Sequence, residues 1–79
     1  MPRVVYFSLI REKIGKSEEE IELSGTIGDL RKLLENRYPD LKSLIGRIKF
    51  AVNEEYVDDS YKLSGDERVA VIPPVSGGL

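Results

Sequence analysis

Gly77 and Gly78 stand next to the end of this chain, and the group they bring with them is a terminal carboxylate. A C-terminal carboxyl has a pKa of roughly 3.3–3.7, so at neutral pH it is ionised and needs no neighbouring base. The residues before it say how it is presented. Arg68, Val69, Ala70, Val71 and Ile72 read as a strand and run straight into Pro73 and Pro74. Proline lacks the N–H that a sheet ladder needs, so the strand ends there. Val75, Ser76, Gly77 and Gly78 are small. Glycine adds no side-chain bulk and reaches backbone geometries closed to other residues. The two prolines stiffen the base of the tail, and this shape suits a terminus threaded into another protein's active site. The competing reading is an ordinary frayed end, as most termini are.

No other residues in the chain offer a convincing catalytic set. There is no Cys and no His. Thiolate nucleophiles, disulfides, Cys metal sites and the commonest general base are therefore excluded. Glu18, Glu19 and Glu20 read as the solvated edge of a sheet, not as a metal site. Asp58 and Asp59 read as a polar turn, because a carboxylate pair doing acid–base work needs an enclosed site to separate the two pKa values. Arg31, Lys32 and Arg37 read as the wet face of a helix. The formal net charge of −2, with no basic stripe, argues against nucleic acid. No metal ligand set is expected.

These residues need a scaffold. Seventy-nine residues make one small domain with a marginal core and little room for a deep pocket. No run approaches the ~20 apolar residues of a membrane span. The opening Met1, Pro2 and Arg3 do not read as a signal peptide, so a cytoplasmic location is expected.

Residues 4–9 alternate as a first strand, with Val4 and Tyr6 on one face and Val5, Phe7 and Leu9 on the other. A turn-like connection over residues 11–16, with a possible helical turn, leads to a second strand over residues 18–23. Thr26 opens the clearest helix, with Asp29 in its first turn. Ile27, Leu30, Leu33, Leu34 and Tyr38 form its apolar stripe, and Pro39 ends it. Leu41, Leu44 and Ile45 suggest a short helical piece. Ile48, Phe50 and Val52 alternate as a third strand, and a turn at Asn53 and Glu54 leads to a short one near Tyr56 and Val57. A tight turn at residues 63–66 precedes the last strand. One amphipathic helix over one mixed sheet makes a two-layer α+β domain.

Four blocks extend this reading: Val5, Tyr6 and Phe7 with Arg11, Glu12 and Gly15; residues 26–30; Ala51, Val52 and Asn53; and residues 63–67 leading through Val71 to Gly78. On these blocks the chain resembles the MoaD and ThiS families of ubiquitin-like sulfur carriers, and the Pro-Pro-Val-Ser-Gly-Gly ending points to the MoaD side. The resemblance implies a β-grasp domain over residues 1–72, with first and last strands paired centrally, and a flexible C-terminal tail over residues 73–79. It implies that the Gly78 carboxylate is adenylated and then thiocarboxylated, and that sulfur passes to cyclic pyranopterin monophosphate in molybdenum or tungsten cofactor biosynthesis. Pro73, Pro74, Val75, Ser76 and Gly77 would thread the tail. Phe7, Tyr56, Ile72 and Arg11 would meet the partners. Those are a MoaE-like large subunit, in a heterotetramer, and a MoeB-like adenylating enzyme. ATP is used by that enzyme, and no cofactor is expected on this chain. Nor is catalysis by this chain alone; nucleic acid and membranes are not expected partners.

Leu79 departs from the family pattern, because as written the terminal carboxylate belongs to it. A protease removes it, or it is a cloning remnant, or the carrier activity has been lost. Three rival readings of the whole chain also stand: a carrier for thiazole or tRNA thiolation, a ubiquitin-like modifier of lysines, and a β-grasp binding module with an inert tail.

Overall fold

Val4, Val5 and Tyr6 suit a pleated, half-buried surface. They lie in β1 (Arg3–Tyr6) of the computed structural model, which describes residues 1–74. β1 pairs in parallel with β5 (Arg68–Ile72), Val4 facing Val69 and Tyr6 facing Val71. β5 pairs antiparallel with β3 (Lys49–Val52), and β3 with β4 (Glu55–Val57). The short β2 (Glu18–Glu20) pairs antiparallel with β1. The order is therefore β2-β1-β5-β3-β4, a mixed five-stranded sheet with the first and last strands at its centre. That is the expected β-grasp arrangement.

The main helix, α2 (Ile27–Arg37), begins in a capping box. The Asp29 N–H donates to Thr26 Oγ1 (3.2 Å), and the Thr26 N–H donates to Asp29 Oδ2 (3.0 Å). Two of the helix's orphan donors are satisfied reciprocally. The helix stops at Arg37, because Pro39 drives Tyr38 out of helical geometry, to φ −126° and ψ 69°. Ile27, Leu30 and Leu34 are fully buried against Val4, Tyr6, Phe50, Val52, Val69 and Val71 from one face of the sheet. A turn of 3₁₀ helix (Pro39–Leu41) and α3 (Lys42–Ile45) follow, and Ile45 completes that side of the core.

Two expectations need correction. The first strand ends at Tyr6, and α1 (Ser8–Ile14) occupies what was read as strand end and turn. Val5, Phe7 and Leu9 alternate like a strand, but Ile10 and Ile14 carry the competing i, i+4 signal. Ile10 is fully buried and Ile14 packs on the core, while Leu9 is left 46% exposed. Gly15, at φ 88°, ends α1 with its N–H donating to the Arg11 carbonyl (2.9 Å). That positive φ explains the glycine. The second strand, expected over residues 18–23, covers only Glu18–Glu20. Ile21 is buried beyond it, its N–H donating to the Pro2 carbonyl (3.1 Å).

The β3–β4 hairpin turns on Asn53 and Glu54, at φ 50° and 75°. Two successive positive φ values are the signature of a type I′ turn, which favours Asn-Gly. Glu54 therefore holds a conformation costing a side-chain-bearing residue about 1 kcal/mol. Glu54→Gly should raise stability by roughly that amount, less the entropy glycine adds to the unfolded chain. The check is a higher urea midpoint at unchanged slope; a lower midpoint would show the turn to be unstrained.

Glu67 is the buried charged residue of the last turn, 6% exposed. It accepts bonds from the Ser64 hydroxyl (2.7 Å), the Ser64 N–H and the Gly65 N–H (2.9 Å). Burial pushes its pKa up, but the bonds from Ser64 and Gly65 outweigh this and hold it at about 2. The folded value lies below the unfolded one, so this stabilisation is present above the ordinary carboxylate pKa of ~4.3 and fades as pH falls toward about 2. Glu67→Gln should cost about 1–2 kcal/mol at neutral pH and flatten the acid limb of stability against pH. Thermal unfolding between pH 2 and pH 7 reads both effects, and an unchanged acid limb would remove Glu67 from the account.

Candidate functional site: the tail root and the second sheet face

Strand alternation divides the sheet residues between two faces. Val4, Tyr6, Phe50, Val52, Val69 and Val71 face α2. Their neighbours face the other way: Arg3 and Val5 from β1, Arg68, Ala70 and Ile72 from β5, Lys49 and Ala51 from β3. The register places Val5 beside Ala70, Ala70 beside Ala51, and Ala51 beside Tyr56. One row of small residues thus crosses the sheet and ends at a tyrosine. Val5, Ala51 and Ala70 are buried yet lie outside the core cluster, and Tyr56 is 68% exposed.

β5 carries the chain from the centre of this sheet to Ile72, Pro73 and Pro74. These three residues form the divide between two open grooves. Phe7, Ser8, Leu9, Leu44 and Arg47 line one groove. Tyr56, Val57, Phe50, Arg47 and Lys49 are among those lining the other. Phe7, Tyr56 and Ile72, expected to form a contact surface, are therefore gathered around the root of the tail. Phe7 reaches it from the turn that starts α1, not from a strand, and is 37% exposed. Arg11 is exposed one turn further along α1, its N–H donating to the Phe7 carbonyl (3.3 Å), and it lines neither groove. Among the described residues it makes no ion pair, with Glu12 or any other acid. Val75, Ser76, Gly77, Gly78 and Leu79 lie outside the described residues.

Two side chains read as solvated are structural. Arg31 is not on a wet face: its side chain is 18% exposed. Its Nη1 donates to the carbonyls of Ile45 (2.8 Å) and Ile48 (3.1 Å), and its Nε and Nη2 donate to Asp59 (3.1 and 2.9 Å). The guanidinium also sits 5.0 Å above the Phe50 ring centre, a cation–π contact. Arg31 thereby ties α2 to α3, to the start of β3 and to the loop before Tyr61. Asp59 is occupied by Arg31. Asp58 accepts from Ser60 through hydroxyl and N–H, and those bonds hold its pKa down. Neither aspartate is arranged as an acid–base pair.

Glu19 is the larger correction. It was read as part of a solvated acidic edge, but its side chain is only 12% exposed. It accepts from the hydroxyls of Tyr6 and Tyr38 (2.9 Å for the latter), from Arg37 Nη1 (3.1 Å) and from Lys16 Nζ (3.4 Å). Burial raises its pKa, and the bonds from Tyr6 and Tyr38 with the Lys16 charge outweigh that, so the net shift is downward. A signal was present: Glu19 sits opposite Val4, on the core face, while Glu18 and Glu20 alternate outward. A buried tyrosine such as Tyr6 also needs a partner for its hydroxyl.

The model of the ThiS family matches residues 4–78. The chain belongs to the ThiS family. This ThiS-family chain is 39% identical over 80 residues to the human molybdopterin synthase sulfur carrier subunit, a match covering 95% of this chain and 91% of the human one. It is 35% identical over 81 residues to the protein of that name from Dictyostelium discoideum, covering 96% and 94%. Its fold matches the solved structure named "Putative molybdopterin converting factor, subunit 1" from Pyrococcus furiosus, with a TM-score of 0.82, 31% identity and coverage of 94% and 97%. Among the described residues of this ThiS-family chain, no helix is long and apolar enough to cross a membrane.

Proposed function

We propose that this chain is the sulfur-carrier small subunit of molybdopterin synthase. The observation that carries the reading is the placement of the tail root. A central strand leads directly into Pro73 and Pro74, and Phe7, Tyr56 and Ile72 stand on either side of the exit. Relatives named molybdopterin synthase sulfur carrier subunit match nearly the full length, which supports it.

In this reading Leu79 is removed and Gly78 supplies the terminal carboxylate. Inside the adenylating enzyme a carboxylate oxygen attacks the α-phosphorus of ATP and pyrophosphate leaves. The acyl-adenylate is a reactive acyl donor. A donor supplying sulfur at the sulfide level attacks the acyl carbon, the bond from that carbon to the phosphate oxygen breaks, and AMP leaves a thiocarboxylate on Gly78. The thiocarboxylate sulfur then attacks a carbon of cyclic pyranopterin monophosphate, held by the large subunit, and an oxygen substituent leaves that carbon; water cleaves the acyl–sulfur bond, freeing the Gly78 carboxylate and leaving the sulfur on the pterin. This chain supplies the stiffened stalk, the glycines that fit the channel and the surface by which both partners grip it. The catalytic side chains belong to the partners.

Reconstitution tests it. The chain ending at Gly78 is combined with ATP, adenylating enzyme, sulfur donor, large subunit and pterin precursor. Molybdopterin is the expected product. Sulfur loading without molybdopterin would contradict the pathway and favour thiazole or tRNA thiolation. Attachment to lysines of other proteins in its place would make the chain a modifier.

A further inference from the structure

The second sheet face has a charge pattern that the chain as a whole does not. The sequence holds 14 acidic and 12 basic residues. Yet on the three central strands every charged residue of this face is a cation: Arg3 on β1, Lys49 on β3 and Arg68 on β5. Among the strand residues, acids face the same way from the edge strand β2, as Glu18 and Glu20; Asp58 and Asp59, held by Ser60 and Arg31, also line the groove that Lys49 and Arg47 share. Glu20 pairs loosely with Arg3 (3.9 Å). Lys49 and Arg68 are exposed, and among the described residues neither has an ion-pair partner. Lys49 lies directly across from Ile72 at the tail root. Arg47, likewise unpaired among the described residues, lines both grooves beside Pro73 and Pro74.

Between these cations runs the low floor of Val5, Ala70 and Ala51. Small residues there let another surface approach the sheet closely, while the charges stand at its rim. An apolar centre with a charged rim is the common anatomy of a protein interface. We propose that the partner surface docking on this face is acidic, and that Lys49 and Arg68, with Arg47 at the tail root, select and steer it by charge. This rests on the carrier reading above and specifies the chemistry of the large subunit's contact surface.

A second copy of this chain is a poor occupant. A two-fold contact sets a face against itself, so the cationic central strands of one copy would approach an equally cationic set on the other. A nucleic acid would use the cations but leave the apolar floor and Ile72 unfilled.

Unpaired rim charges act mainly on association rate and on its salt dependence. The test compares wild type with the double variant K49E/R68E in binding to the molybdopterin synthase large subunit, by stopped flow at about 0.05 M and about 0.5 M salt. The expected result is an association rate lowered roughly tenfold or more at low salt. The difference should shrink to about twofold at high salt, with a smaller change in dissociation. The neutral pair K49Q/R68Q should fall between. Both positions are exposed, and circular dichroism verifies that each variant is folded. A complex formed equally fast by K49E/R68E overturns this inference and leaves the carrier reading standing. No complex even with wild type overturns the carrier reading and this inference with it. Wild type sedimenting as a dimer that K49E/R68E disrupts, or binding RNA through these residues, also overturns it.

Discussion

Valine at position 78 stops sulfur loading. On the carrier reading, with Leu79 removed, the side chain of Gly78→Val would sit on the carbon next to the reacting carboxylate, inside the adenylating enzyme. A branched side chain there displaces the carboxylate from the α-phosphorus and blocks backbone geometries open to glycine. A misplacement of about 1 Å at a reacting centre can cost on the order of 10²-fold in rate. A loss of at least that size is expected for adenylation, and thiocarboxylate formation falls with it. The fold should be unaffected, because every residue of the core described above precedes Pro73 in the sequence. Mass spectrometry after incubation with adenylating enzyme, ATP and sulfur donor reads the result as the presence or absence of a ~16 Da gain, oxygen replaced by sulfur in the acyl group. Loading at the wild-type rate, with unchanged thermal stability, would show that glycine is not required there.

Removing the Glu19 carboxylate is the largest expected change in stability. Glu19→Ala leaves the Tyr6 and Tyr38 hydroxyls without their acceptor and takes the shared anion from Arg37 and Lys16. An unsatisfied buried polar group costs about 1–3 kcal/mol, and two phenols are affected. A total of about 2–4 kcal/mol is expected, the exposed Lys16 and Arg37 pairs adding little. Against the roughly 4–12 kcal/mol of a domain this size, that is a substantial share. A double-mutant cycle with Tyr6→Phe isolates the link, since Tyr6→Phe should cost much less once Glu19 is gone. The network also sets limits in pH. Glu19 has a folded pKa below its unfolded value, so its contribution is full above ~4.3 and declines as pH falls. Tyr6 and Tyr38 are raised, by burial first and by the Glu19 bond second. Their contribution is full below ~10 and declines as pH rises past it. Urea unfolding across pH should show a plateau that narrows at both ends in wild type and is flatter in Glu19→Ala. A cost under about 0.5 kcal/mol would mean that Glu19 behaves as a solvated surface group.

Much of this molecule was legible before its structure, and the failures share a cause. Thr26, the stripe from Ile27 to Leu34, and Pro39 agree with one another at every level, and α2 begins and ends where they say. Pro73 and Pro74 mark the end of β5 just as clearly. The connection after Tyr6 failed because Phe7 and Leu9 mimic strand alternation while Ile10 and Ile14 demand a helix. Only packing decides, by burying Ile10. Arg31 and Glu19 failed for a different reason. Their partners lie far away in sequence, Asp59, Ile45 and Ile48 for the first and Tyr6, Arg37 and Tyr38 for the second. Local patterns assign such residues to the surface by type, and tertiary contacts reassign them. Phe7, Tyr56 and Ile72 follow from the family resemblance. What the sequence alone could not place was their meeting around Pro73 and Pro74, which needs β5 at the centre of the sheet.

The measurement that bears most directly on the carrier account is the intact mass of the untagged protein purified from its native host. The account predicts a chain ending at Gly78, with a fraction heavier by ~16 Da from sulfur at the acyl end. A chain that keeps Leu79 and never gains sulfur, in cells containing the adenylating enzyme and sulfur donor, would contradict it.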